Sequence, residues 1–166
     1  MSKPHTLSSF DEDLNRIREL ILGMGGRVEE AITLSSRSLE SRDEELAAEV
    51  VQGDKAIDAL EDEINHHVVR LLALRQPQAQ DLRAVIAVMK MAADLERLGD
   101  YAKNMAKRVP VLASGPQIEG AGAAIRRQAR QVGQMLKDML DAFARQDVAL
   151  AEDVIARDAE IDHMTN

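Results

Sequence analysis

The chain has 166 residues, enough for a sizeable core, but aromatics make up 2% of it, so that core must be built from Leu, Ile, Val, Met and Ala. There is no cysteine, which excludes a disulfide framework, a thiolate metal site and a cysteine nucleophile, and fits a reducing compartment. A net charge of −8 without a basic run argues against nucleic acid and against electrostatic docking on an anionic membrane, and favours cations and basic protein surfaces as partners. No apolar run approaches the ~18 residues of a membrane span. The N-terminal MSKPHTLSSFDED lacks the apolar stretch of a secretion signal, so the expected location is the cytoplasm. With 30% charged residues on this aliphatic palette, the chain reads as all-α, a helical bundle.

The first helix is expected to begin after Ser8 or Ser9 as N-cap, with Asp11, Glu12 and Asp13 in its first turn, and to run to about Ser41. Gly23, Gly25 and Gly26 interrupt it. Each costs a helix about 1 kcal/mol relative to Ala, which points to a close helix approach or a bend there. The second helix is expected from Asp43 to about Leu74. Its core-facing seam is Leu46, Val50, Gly53, Ile57, Leu60, Ile64, His67 or Val68, and Leu71, in steps of four and three. RQPQAQD, residues 75–81, stops it, because Pro77 cannot continue a helix, and Asp81 can cap near the next. The third helix is expected from about Ala79 to Val109, with a stripe of Val88, Met91 or Ala92, Leu95, Leu98, Ala102, Met105 and Val109. PVLASGPQIEGAG then reads as a linker. A fourth helix covers about Ala123 to Ala144, and a fifth starts near Asp147.

The fifth segment repeats the second. A shift of 104 places Asp43 on Asp147, Leu46 on Leu150, Ala47 on Ala151, Val50 on Val154, Asp54 on Asp158, Ile57 on Ile161 and Asp58 on Asp162. A hydrophobic core does not force the acid matches, so the correspondence reads as an internal repeat. The counterpart of Glu96 would fall at position 200, past Asn166. The expectation is therefore a first three-helix unit over residues 1–112 and an incomplete second unit over 113–166, with a seam that another chain would cover.

Asp54-x-x-x-Asp58 and Glu96-x-x-x-Asp100 place pairs of acids one turn apart, a spacing that destabilises a helix by roughly 0.2–0.5 kcal/mol per pair. On a helical wheel Glu96 and Asp100 lie roughly 130–170° from the centre of their stripe, and Asp54, Asp58 and Glu61 roughly 60–120° off theirs. Both pairs are expected outside the core or at the edge of the seam, not as buried carboxylates. One reading is a solvated acidic face neutralised by Lys103 and Lys107. The other is four carboxylates converging on a hard cation such as Mg²⁺, Mn²⁺, Ca²⁺ or an iron ion. Glu63-x-x-His66 and Glu160-x-x-His163 match the step of di-iron bundles, but such ligands must point inward, and His66 lies about 160° from its seam. His66 and His67 read as surface or seam-edge residues. No Gly-rich phosphate loop and no Ser/His/Asp set stands out, so nothing supports catalysis.

RQPQAQDLRAV and DLERLGDYAKNMAK together give a more specific signal. The chain carries Arg75, Gln76, Pro77, Ala79, Asp81, Leu82 and Arg83, then Asp94, Leu95, Glu96, Arg97, Gly99, Asp100, Ala102, Asn104 and Ala106. In these it resembles the PhoU family of phosphate-uptake regulators, with Leu98 and Met105 where isoleucine is usual. The resemblance implies repeated three-helix bundles and surface metal in some members. Carried over, the metal residues are Asp54, Asp58, Glu96 and Asp100, with Asp158 and Asp162 in the second repeat, and the ion is Mg, Mn, Fe or Zn. The resemblance also implies a non-enzymatic negative regulator of phosphate uptake and phosphate-starvation signalling. Such an adaptor links the phosphate-specific ABC transporter to a phosphate-sensing histidine kinase. It is cytoplasmic, reaches the membrane only through partners, and commonly forms a homodimer. The alternative is a metal-dependent enzyme or metal store on a helical bundle.

Overall fold

The computed structural model describes residues 4–145. Among these residues all regular structure is helical: α1 (Pro4–Ser41), α2 (Glu44–Arg75), α3 (Gln80–Lys107), the short α4 (Val109–Ala113) and α5 (Ala121–Arg145). The all-α expectation holds. α1 starts earlier than its sequence signals suggest, so Ser8 and Ser9 lie inside the helix and do not cap it. The glycines neither break nor end α1. Gly25 sits where a Cβ would fall 2.5 Å from Cδ2 of Leu140, so its missing side chain lets α5 approach.

The junctions follow local chemistry. Arg42 takes φ 54°, a left-handed turn between α1 and α2, and Asp43 then caps α2 by accepting the Leu46 N–H through Oδ1 at 3.0 Å. Gln76 ends α2 in the left-handed region, donating its N–H to the Leu72 carbonyl, and Pro77 follows. Ala79, not Asp81, is the N-cap residue of α3, and it makes no side-chain cap; Asp81 falls in the first turn. The first part of the expected linker, residues 110–113, winds with Val109 into α4, with Pro110 in its first turn, where the missing N–H costs nothing.

α1, α2 and α3 pack against one another as a three-helix bundle, and α5 packs along α1. The core joins Ile17, Ile21, Met24 and Val28 of α1 to Ile57, Ile64 and Leu71 of α2 and Val85, Val88 and Leu95 of α3, with Val132, Met135 and Leu136 of α5 on its far side. A smaller cluster of Ala47, Val50, Ala106 and Val109 closes the end where α1 turns into α2. Ser35 is fully buried and donates its hydroxyl to the Ala102 carbonyl at 2.8 Å, joining α1 to α3 across this region. The expected fifth helix and the repeat partners Asp158 and Asp162 lie outside the described residues.

Candidate functional site

The seam of α2 departs from the apolar pattern at one step. Its buried residues run Ala47, Val50, Asp54, Ile57, Ile64, Val68, Leu71, so the register passes through Asp54 and leaves Gly53 exposed. Steps of four and three from Val50 reach Asp54 and then Ile57. Choosing the apolar neighbour at that step misplaced the seam by one residue. Asp54 is therefore a buried carboxylate at 3% exposure, which corrects the expectation that both acid pairs stand clear of the core.

Opposite Asp54 lies Gly99 of α3. A Cβ there would sit 3.3 Å from Cγ2 of Ile57 and 3.5 Å from Oδ1 of Asp54. Glycine at this position lets α3 close onto α2 at the level where their carboxylates meet. The contacts 54 to 103 and 57 to 99 run in opposite senses, so the helices are antiparallel, as the short 76–79 connection requires. Carboxylate oxygens of Asp54, Asp58 and Asp100 then fall within 4.8 Å of one another. Asp54 is buried, Asp100 half-buried and Asp58 exposed.

The sequence reading brought four acids together. The structure brings three into that trio and sets Glu96 beside it. Burial, a hydrogen bond to Asp100, and the charges of Asp100, Glu61 and Asp58 push the Glu96 carboxyl up to about 7. Burial, then the charges of Asp54 and Asp100, raise Asp58 against the opposing pull of Lys103. Glu61, left out of the ligand set by sequence, is raised by burial and by Asp58, Asp62 and Asp100. Its spacing carried the signal, since it lies three residues past Asp58 on the same face of α2.

The cation within the cluster is Lys103. Its Nζ lies 3.3 Å from Oδ2 of Asp54, and this carboxylate holds the amine above its ordinary range. Lys103 was expected to neutralise acids of its own helix; it reaches across to α2 instead. The ammonium partners Oδ2, so Oδ1 is the Asp54 oxygen left buried with no partner among the described residues. Arg97 pairs with Asp94 at 4.0 Å along α3. The di-iron step is not assembled on α2: Glu63 lies 3.9 Å from Nε2 of His67, and His66 is exposed. Glu160 and His163 lie outside the described residues.

A family model described as the PhoU domain matches residues 21–109 and 125–166. The phosphate-specific transport system accessory protein PhoU homolog of Zymomonas mobilis is 44% identical over 162 residues, spanning 98% of this chain and 68% of that protein. The homolog from Caulobacter vibrioides is 38% identical over 162 residues, spanning 98% of this chain and 70% of that protein. The crystal structure of PhoU from Pseudomonas aeruginosa superposes with a TM-score of 0.86 at 37% identity, covering 93% of this chain and 74% of that one. That of the phosphate transport regulatory protein PhoU from Streptococcus pneumoniae does so with a TM-score of 0.82 at 33% identity, covering 93% and 72%. On sequence and on fold alike, the chain belongs to the PhoU family.

Proposed function

We propose that this chain is a non-enzymatic accessory regulator of a phosphate-specific transport system, restraining phosphate uptake and starvation signalling. Support comes from relatives named as accessory proteins of phosphate-specific transport, at up to 44% identity. The chain acts in the cytoplasm as a homodimer, contacting the transporter and a phosphate-sensing histidine kinase, and reaches the membrane through them. No described helix is long and apolar enough to cross a membrane.

The observation that carries the site is Asp54, a buried carboxylate whose Oδ1 has no partner among the described residues and whose Oδ2 has the Lys103 ammonium at 3.3 Å. Buried carboxylates are ordinarily satisfied. Asp58 and Asp100 add oxygens close by, making an all-oxygen donor set suited to a hard cation. The residues fit a divalent or iron ion, with Asp54, Asp58 and Asp100 holding it and Glu96 and Glu61 at its edge. A cation there neutralises carboxylates that otherwise repel one another. Asp158 and Asp162 of the second repeat are assigned the same role by their register. The ion leaves a less acidic α2–α3 face for a protein partner to meet.

Elemental analysis tests the site. Protein incubated with Mn²⁺, Fe²⁺, Zn²⁺ and Mg²⁺ retains metal, and the Asp54→Asn, Asp100→Asn variant loses that held at the first unit. Retention by the variant would remove the assignment. Deletion of the gene tests the regulatory reading independently: expression of phosphate-starvation genes in phosphate-replete cells is the expected result, and unchanged repression overturns it.

A further inference from the structure

A second site of opposite sign lies elsewhere on the bundle. Between the N-terminal half of α1 and the C-terminal half of α2 there is a pocket of about 320 Å³. Arg16 of α1 and His67, Arg70 and Arg75 of α2 line it, against one acid, Asp13. Three guanidiniums around one cavity are notable in a chain of net charge −8. The acid does not cancel them. Asp13 accepts from Nε of Arg75 at 3.0 Å, which fixes that guanidinium and takes its Nε only. Arg16 and Arg70 are exposed and have no ion-pair partner among the described residues. A planar guanidinium donates two parallel hydrogen bonds to an oxyanion, and several around one cavity select tetrahedral or carboxylate oxygens.

We infer that the α1–α2 pocket lined by Arg16, Arg70 and Arg75 binds a phosphate-type oxyanion, either free in solution or as the headgroup of an anionic phospholipid. The acid cluster at Asp58 is about 18 Å away along α2, from the 1.5 Å rise per residue, so the two sites carry opposite charge on separate parts of one helix. Leu74 on the rim of the pocket is 61% exposed, which offers apolar contact to whatever carries the phosphate.

Calorimetric titration of the full chain with inorganic phosphate tests the first source. Sedimentation with phosphatidylglycerol vesicles, against phosphatidylcholine vesicles, tests the second. The informative variant is Arg16→Gln with Arg70→Gln, whose side chains are exposed and outside the ion pairs of the described residues. The control is Lys90→Gln with Arg127→Gln, which removes as much charge outside the pocket. Two lost charge-assisted contacts weaken binding by at least about tenfold, and the control stays within about twofold. Phosphate binding lost only in the pocket variant identifies a free oxyanion. Phosphatidylglycerol binding alone, lost in the same way, identifies a headgroup. Absence of both in the wild type, or equal loss in both variants, overturns the site. Protection of Arg16 and Arg70 from phenylglyoxal by phosphate or by the vesicles, mapped by mass spectrometry on the wild type, reads the same contact without a variant, and no protection by either overturns it.

Discussion

The ammonium of Lys103 stands 3.3 Å from the buried Oδ2 of Asp54, a cation from α3 placed inside a cluster of acids that spans two helices. Lys103 is thus the built-in counter-ion of a site whose charge otherwise comes from Asp54, Asp58, Asp100, Glu61 and Glu96. It partly offsets repulsion among carboxylates that come close because Gly99 lets the helices meet at that level. Lys103→Met removes the cation and keeps the aliphatic stem. The variant melts at a lower temperature than the wild type in EDTA. Mn²⁺ restores more of the difference than it adds to the wild type, because the ion replaces the lost charge. Thermal melts with and without Mn²⁺ decide it, and equal Mn²⁺ increments in both proteins would count against a shared site.

Asp54→Asn separates metal binding from folding. The buried negative charge is lost and one carboxylate oxygen becomes an amide nitrogen, while Lys103, 29% exposed at its side chain, turns to solvent. Relief of the repulsion from Asp58 and Asp100 offsets the lost Lys103 contact, so the change is neutral to stabilising, by up to about 1 kcal/mol in metal-free protein. Urea unfolding in EDTA measures this, and the same variant loses metal at the first unit. A destabilised metal-free variant would mean that the Asp54–Lys103 pair holds α2 to α3.

Glu96 gives a pH signature. Its carboxyl titrates near 7 in the folded chain, against 4.5 ordinarily. The folded state therefore binds the proton more tightly than the unfolded state. Stability from this group is complete below about pH 4.5 and is lost as pH rises to about 7. Glu96→Gln removes that loss. The difference in melting temperature, variant minus wild type, is close to zero at pH 4.5, grows through neutrality and levels off above pH 7. Mn²⁺ favours the charged carboxylate and shrinks the difference. A difference constant with pH would mean that Glu96 ionises as an ordinary surface acid.

Most of the fold could be read from spacing. The seams of α2 and α3, the stop at Pro77 and the start of α2 at about Asp43 follow from local rules, and local rules suffice where each residue's environment repeats every turn. Asp54 shows where they fail. Hydrophobic periodicity assigns the seam to apolar residues, so an acid in register is taken for its surface neighbour, and only the packing of α3 against α2 reveals that the acid is inside. Glu61 was passed over for a related reason: pairing acids one turn apart on each helix hides a third that joins them across the helix pair. The start of α1 failed differently, because a Ser ahead of acids is a good cap only where the preceding chain is not already helical.

Gly25 and Gly26 sit side by side in α1, yet a side chain meets different surroundings at each. Nothing lies within 4 Å of a Cβ at Gly26, which is exposed, so Gly26→Ala relieves a flexible helical position and stabilises by about 0.5–1 kcal/mol. A Cβ at Gly25 would stand 2.5 and 2.7 Å from the two terminal carbons of Leu140. Leu140 is only half-buried and can swing aside for a single methyl, so Gly25→Ala balances better helix propensity against displaced packing. The two γ-methyls of Gly25→Val leave Leu140 no such room, and α5 must move off α1 at a cost of about 2 kcal/mol. Thermal or urea unfolding of the three variants measures the contrast. A Gly25→Val protein as stable as Gly26→Ala would mean that α5 does not lie against α1 at this glycine.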